Sequence, residues 1–194
     1  MNGSALGNTR AMVFASMGIV INIVLGTIVQ TFQIPLLFLD TIGTILVSVV
    51  LGPFAGALTG GLTNVIQSMI TNPKDIPFAV VSIAIGLIVG FVAKKRKFDF
   101  KTAFGTGLIL AVVAPLIGTP IAVFVYGGLT GGGTDLIFAW MLASGSKIFT
   151  AAFIPRVAGN IIDKIASCLI VVLLIKRIPN HLLDNMNVQD QSGR

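Results

Sequence analysis

Five polar residues stand within the last long apolar stretch of the chain: Arg156, Asn160, Asp163, Lys164 and Ser167. Their spacings of three and four put them along one face of a helix. An ionisable group at membrane depth is costly and defaults to a functional role. Two chemistries fit. The residues line a polar cavity that receives a ligand, or they pair with other helices and hold a bundle together. Asp163 and Lys164 are adjacent, so their side chains leave a helix about 100° apart. They are expected to flank one cavity rather than point the same way.

Two further positions carry the same choice. Asp40 opens an apolar run as Asp40-Thr41-Ile42-Gly43-Thr44. It either caps a helix or meets a ligand. Asn64 and Gln67 face one way at a spacing of three, and amides in lipid need a partner, another helix or a ligand.

Other chemistries find no residues to carry them. Cys168 is the single cysteine, which excludes an internal disulfide or a thiolate metal cluster. It lies in an apolar run and reads as a small buried hydrophobe. His181, the single histidine, sits in the polar tail, and the chain has no Glu. A membrane-embedded enzyme would need paired acids, a His cluster or a nucleophile with its base. No catalysis, metal or cofactor is therefore expected. The stretch Gly127-Gly128-Leu129-Thr130-Gly131-Gly132-Gly133-Thr134-Asp135 suggests a phosphate cradle, but the Gly-Lys-Ser/Thr ending is missing. A hinged gate over a cavity explains these glycines better.

The elements that must position these groups are those of a membrane protein. Of 194 residues, 55% are hydrophobic and 10% charged, against about 25% charged in a soluble domain. Mean hydropathy is +0.97. An ordinary cytosolic enzyme, a disordered tail and a nucleic-acid module are excluded. The net charge of +6 reads as the positive-inside bias of a bacterial membrane protein, with no nucleic-acid partner.

Charges and helix breakers cut the chain into six predicted spans: 11–29, 36–51, 54–70, 76–93, 102–126 and 156–175. Gly52-Pro53 separates the second from the third, with Pro53 suited to a first helical turn. These two spans are short for a 30 Å hydrocarbon core. Pro115, Gly118 and Pro120 are expected to bend the fifth. The apolar segment 136–145 is too short to cross and reads as a re-entrant or interfacial helix, with Trp140 an interfacial anchor. The expected fold is all-α: one compact six-helix membrane domain over residues 1–178 and a polar cytoplasmic tail over 179–194. Arg10, the Lys94–Lys101 loop and Lys176-Arg177 then share one side. Both termini are accordingly cytoplasmic, and the glycine-rich loop lies outside the cell.

Small residues recur at helical spacing: Ala11 and Ala15; Gly18, Asn22 and Gly26; Gly52, Gly56 and Gly60; Gly86 and Gly90. Such stripes let helix backbones approach closely in lipid. Internal packing is the expectation for Gly86 and Gly90.

The chain resembles the substrate-binding S component of an energy-coupling factor (ECF) transporter. The resemblance covers about residues 10–178. It rests on six short helices, the alanine pair, Leu39-Asp40-Thr41-Ile42-Gly43-Thr44, Leu51-Gly52-Pro53-Phe54-Ala55-Gly56-Ala57, Tyr126-Gly127-Gly128-Leu129-Thr130 and Asp163-Lys164. It implies high-affinity capture of a vitamin or related micronutrient at the bacterial plasma membrane. It further implies toppling in the membrane on a transmembrane coupling subunit driven by two ABC ATPases. By that carry-over Ala11 and Ala15 dock on the coupling subunit. Gln33, Asn72, Tyr126, Trp140, Asn160, Asp163 and Lys164 are ligand candidates beside Asp40 and Asn64.

The alternative is a stand-alone secondary transporter, which usually shows internal repeats. No convincing repeat relates the two halves. The residues leave the ligand open. A carboxylate vitamin such as pantothenate or folate would want a dedicated cation, for which Lys147, Arg156 or Lys164 could serve. Pyridoxine, hydroxymethylpyrimidine, a nucleoside or cobalamin fits as well.

Overall fold

The computed structural model describes residues 9–32, 34, 36–131 and 134–178. The described residues are helical, with no strand. Seven α-helices follow one another: α1 Thr9–Thr31, α2 Ile42–Leu51, α3 Pro53–Ile70, α4 Ala79–Lys95, α5 Phe100–Tyr126, α6 Asp135–Ala143 and α7 Ile148–Arg177. A 3-10 turn, Pro73–Phe78, leads into α4. Among the described residues four segments are long and apolar enough to cross a membrane: Thr9–Thr31, Pro73–Lys95, Phe100–Tyr126 and Ile148–Arg177. At ten residues, α2 is about 15 Å long and cannot cross alone. Thr59, Thr63, Asn64, Gln67 and Ser68 dilute the apolar run of α3.

The second predicted span starts six residues later than expected, at Ile42 rather than at position 36. Leu36 and Leu39 take φ of 64° and 51°, the left-handed region that side chains disfavour. The last helix starts earlier than expected. It runs from Ile148 through Pro155, whose missing N–H a membrane helix tolerates when packed against neighbours. Likewise α5 continues past Pro115 and Pro120 and ends where Gly127 turns left-handed at φ 63°. Its first turn is capped by Asp99, which accepts the Thr102 N–H at 2.8 Å. That bond holds the Asp99 carboxyl below its ordinary pKa. The segment read as re-entrant or interfacial is the short helix α6, packed on α7.

Helix α2 is the hub. It touches α1, α3, α4 and α7, and every residue of it except Val49 is buried. A helix apolar all round belongs at a centre. Its close contacts depend on glycine. A Cβ on Gly43 would run into the Gly18 carbonyl oxygen of α1. On the α3–α4 seam a Cβ on Gly86 would sit 2.5 Å from the Ala57 nitrogen, and one on Gly90 would strike Pro53. The stripe at Gly86 and Gly90 is therefore internal packing, as expected.

Asn22 of α1 satisfies the start of α2. Its Oδ1 accepts the Gly43 N–H at 2.6 Å and the Thr44 N–H at 3.3 Å. Its amide donates to Thr44 Oγ1 and, on α3, to Thr63 Oγ1. The first turn of a helix leaves its N–H groups unpaired. A side chain from another helix here does what a cap residue does elsewhere. Cys168 is buried and free, in the core with Val171 and Val172.

Candidate functional site

A cavity of about 260 Å³ opens between α1, the connection before α2, α3, α4, α5 and α7. Gly26 and Val29 supply the α1 wall, and Leu37, Phe38, Asp40 and Thr41 the connection. Asn64, Gln67 and Ser68 come from α3 and Ser82 from α4. Asp75 and Phe78 enter from the 3-10 turn, Pro115 and Gly118 from α5. Further wall comes from Arg156, Asn160 and Lys164 of α7, from Thr130, Gly131 and Thr134 of the glycine-rich segment, and from the Gln30 amide of α1. Apolar and polar side chains alternate around it, and polar groups converging on a partly apolar cavity are what fixes a small molecule's orientation.

The polar face of α7 organises this cavity. Asp163 is fully buried and stands behind the wall rather than in it. Its Oδ1 accepts the backbone N–H groups of Phe38 and Leu39 at 2.9 and 2.8 Å. Two amide N–H groups aimed at one oxygen form a small anion cradle, here filled by the chain's own carboxylate. The left-handed backbone at Leu36 and Leu39 costs on the order of 1–3 kcal/mol per residue and persists only where its surroundings hold it. Asp163 holds the Leu39 end of this stretch through the Phe38 and Leu39 N–H groups.

The other carboxylate oxygen, Oδ2, lies 2.6 Å from Lys164 Nζ. The two neighbours were expected to diverge. The four-carbon stem of lysine is long enough to fold back across the helix turn. Lys164 Nζ also donates to Thr41 Oγ1 at 3.0 Å and to Asp40 Oδ1 at 3.4 Å. Asp40 does not cap α2. It faces the cavity and meets Lys164, its side chain 41% exposed.

Arg156 is buried and ties the glycine-rich segment to α7. Nη1 donates to the Ala152 carbonyl at 2.9 Å, and Nη2 to the Gly128 carbonyl at 3.0 Å and Thr130 Oγ1 at 3.3 Å. Across the segment, Asp135 Oδ2 accepts the Gly131 N–H at 2.7 Å. Phe138 of α6 fills the space beneath Gly128, where a Cβ would strike its ring.

Asn64, Asn160, Asp40 and Lys164 thus line one cavity. Asn72 and Tyr126 do not line it. They reach it through Asp75: the Asn72 amide donates to the Tyr126 hydroxyl at 3.2 Å, which donates to Asp75 Oδ1 at 2.7 Å. Trp140 is 70% exposed on α6 and outside the cavity wall. Gln33 lies outside the described residues. Sequence reasoning missed Asp75, which reads as the partner of Lys74 in a polar turn, and Phe38 and Phe78, which read as ordinary apolar residues. It weighed Arg156 as a cavity or ligand cation or as a partner of other helices, and not as the tie of the glycine-rich segment.

The alanine pair separates. Ala11 is fully buried in the core, while Ala15 is half-buried against it. The outward face of α1 is formed by Met12, Val13, Ser16, Met17 and Val20. At the opposite end of α5 from Tyr126, Lys176 Nζ lies 4.2 Å from the centre of the Phe100 ring. The basic end of α7 and the start of α5 therefore meet at one end of the bundle, away from the tied glycine segment.

Comparison with known proteins identifies one family. The model of the family described as "ECF transporter, substrate-specific component" matches residues 10–175. No curated protein and no solved structure gives a significant match.

Proposed function

The chain belongs to the ECF transporter substrate-specific component family, a multi-pass membrane transport subunit, and on that premise we propose that it captures a small vitamin-like nutrient with high affinity. Capture takes place at the end of the bundle bearing the glycine-rich segment, which faces outward. The observation that carries this is the cavity on the polar face of α7, with Asp40, Asn64, Asn160 and Lys164 converging on it. A volume of about 260 Å³ is just under the roughly 300–1,000 Å³ of drug-sized pockets. It favours a ligand the size of pyridoxine, hydroxymethylpyrimidine or a nucleoside over cobalamin.

In this reading α2 with its lead-in 36–41, and α3, complete six spans. The basic residues of the α4–α5 loop and of the α7 end lie in the cytoplasm with both termini. A transmembrane coupling subunit and two ABC ATPases supply the energy, and the loaded protein topples on them. The chain docks through the exposed side of α1, with Ala15 at its edge and Ala11 holding the helix against the core.

Reconstitution in vesicles with the coupling subunit and both ATPases tests this. Uptake of the co-purifying small molecule should require all partners and ATP. Uptake by the chain alone, driven by an ion gradient, would instead make it a secondary transporter.

A further inference from the structure

Resting on the capture reading above, we propose that the ligand presents a positively charged, donor-rich face to this cavity: a small, single-ring nitrogen base received by Asp40 and Asp75. The inference comes from which hydrogen-bonding groups in the wall are still free.

An ammonium group has three N–H donors. All three of Lys164 are engaged, by Asp163, Asp40 and Thr41. Two carboxylates already surround its single charge, so it offers an anionic ligand neither a donor nor an uncompensated charge. Arg156 directs both terminal nitrogens at Ala152, Gly128 and Thr130, with Asp135 nearby as counter-charge. Lys147 is exposed and outside the wall. Three of the five Arg156 N–H groups are thus spent on the chain itself, and neither lining cation stands without partners of its own.

Acceptors, by contrast, remain. The Asn64 amide nitrogen gives its two N–H groups to Gly60 and Ser82. The Asn160 amide nitrogen bonds the Arg156 carbonyl. For the cavity Asn64 keeps its carbonyl oxygen, Asn160 its carbonyl oxygen and one N–H, and the lining amides of Gln30 and Gln67 add groups of both kinds. Asp40 shares one cation with Asp163, and Asp75 is approached only by the Tyr126 hydroxyl among the side-chain bonds of the described residues. Asp40 and Asp75 balance Lys164 and Arg156 within the wall, and the buried Asp163 behind it tips the site negative. Phe38 and Phe78 also line the cavity, and an aromatic face attracts a cation, as the Phe38 ring does with Lys164 Nζ 5.8 Å from its centre. The cavity volume admits one substituted ring rather than a macrocycle.

Three probes of equal size and different charge test this on the purified full-length protein in nanodiscs: benzylammonium, benzyl alcohol and benzoate. Ligand-observed NMR titration should rank benzylammonium at least tenfold tighter than benzoate, with benzyl alcohol between. Asp40→Asn and Asp75→Asn should each cut the affinity for benzylammonium relative to benzyl alcohol at least threefold. Two variants are used because Asp40 also contacts Lys164. Equal binding of the three probes, tightest binding of benzoate, no binding of benzylammonium, or a preference intact in both variants overturns the inference. ATP-driven uptake in the reconstituted complex reads the capture function independently of ligand charge, so either reading can fail alone.

Discussion

Lys164 Nζ lies 2.6 Å from Asp163 Oδ2, although the two residues are adjacent on a helix. The contact makes a single unit of the α7 face and the chain before α2. Asp163 fixes the Phe38 and Leu39 backbone on one side and the Lys164 ammonium on the other. Lys164 in turn reaches Asp40 and Thr41. The geometry of this wall therefore depends on a residue that does not line the cavity.

Asp163→Asn should weaken ligand binding at least tenfold, about 1.4 kcal/mol. It should also lower the melting temperature. Removing one partner of a buried pair typically costs about 3–5 kcal/mol, and Asp40 at 3.4 Å offsets part of that. Isothermal titration and a thermal melt of the purified variant check both. An unchanged dissociation constant in folded protein would move the site away from α7.

The α1–α2 crossing should be intolerant of one methyl group. Gly43→Ala sets a Cβ against the Gly18 carbonyl and should destabilise by about 1–3 kcal/mol. Gly105→Ala, where nothing lies within 4 Å of the new Cβ, should be neutral or stabilise by up to about 1 kcal/mol. Asn22→Leu should cost at least about 1–3 kcal/mol by stranding the N–H groups of Gly43 and Thr44. Thermal melts of the three variants in one detergent give the ranking. Similar values for the two alanine variants would contradict the close crossing.

Ala15→Trp should leave ligand binding intact and abolish transport, because a bulky ring at the edge of the outward face of α1 blocks close helix approach. Ala11→Trp should instead disturb the fold, since Ala11 is fully buried. Binding and uptake are measured side by side for both. Normal uptake by well-expressed Ala15→Trp would remove α1 as the docking face.

The glycine-rich segment should close over bound ligand. Gly131 has φ 81° and donates to Asp135. Proline can do neither, so Gly131→Pro should speed ligand release several-fold without unfolding the bundle. Gly132, the other glycine suited to this substitution, lies outside the described residues. Ordering a segment costs roughly 1–2 kcal/mol per residue, which ligand contacts must offset. Hydrogen exchange across 127–140 should therefore slow at saturating ligand. Equal exchange in both states would assign closure to another segment.

What the amino-acid sequence alone determined are the local properties. Apolar runs bounded by charges and glycines located the helices, because hydropathy and breakers act over one or two turns. The spacing of Arg156, Asn160, Asp163 and Lys164 showed a shared polar face, because helical periodicity is local too. Tertiary structure decided the partners. Asp163 meets Leu39 across 124 residues of sequence, and that meeting fixes a non-helical backbone at Phe38 and Leu39 within the span that hydropathy extended over them. Asp75 became a cavity residue only once the 3-10 turn folded in beside Tyr126. A strained backbone and a turn carboxylate carry no periodic signal. Their conformations are set by hydrogen bonds to groups that become neighbours only when the helices pack.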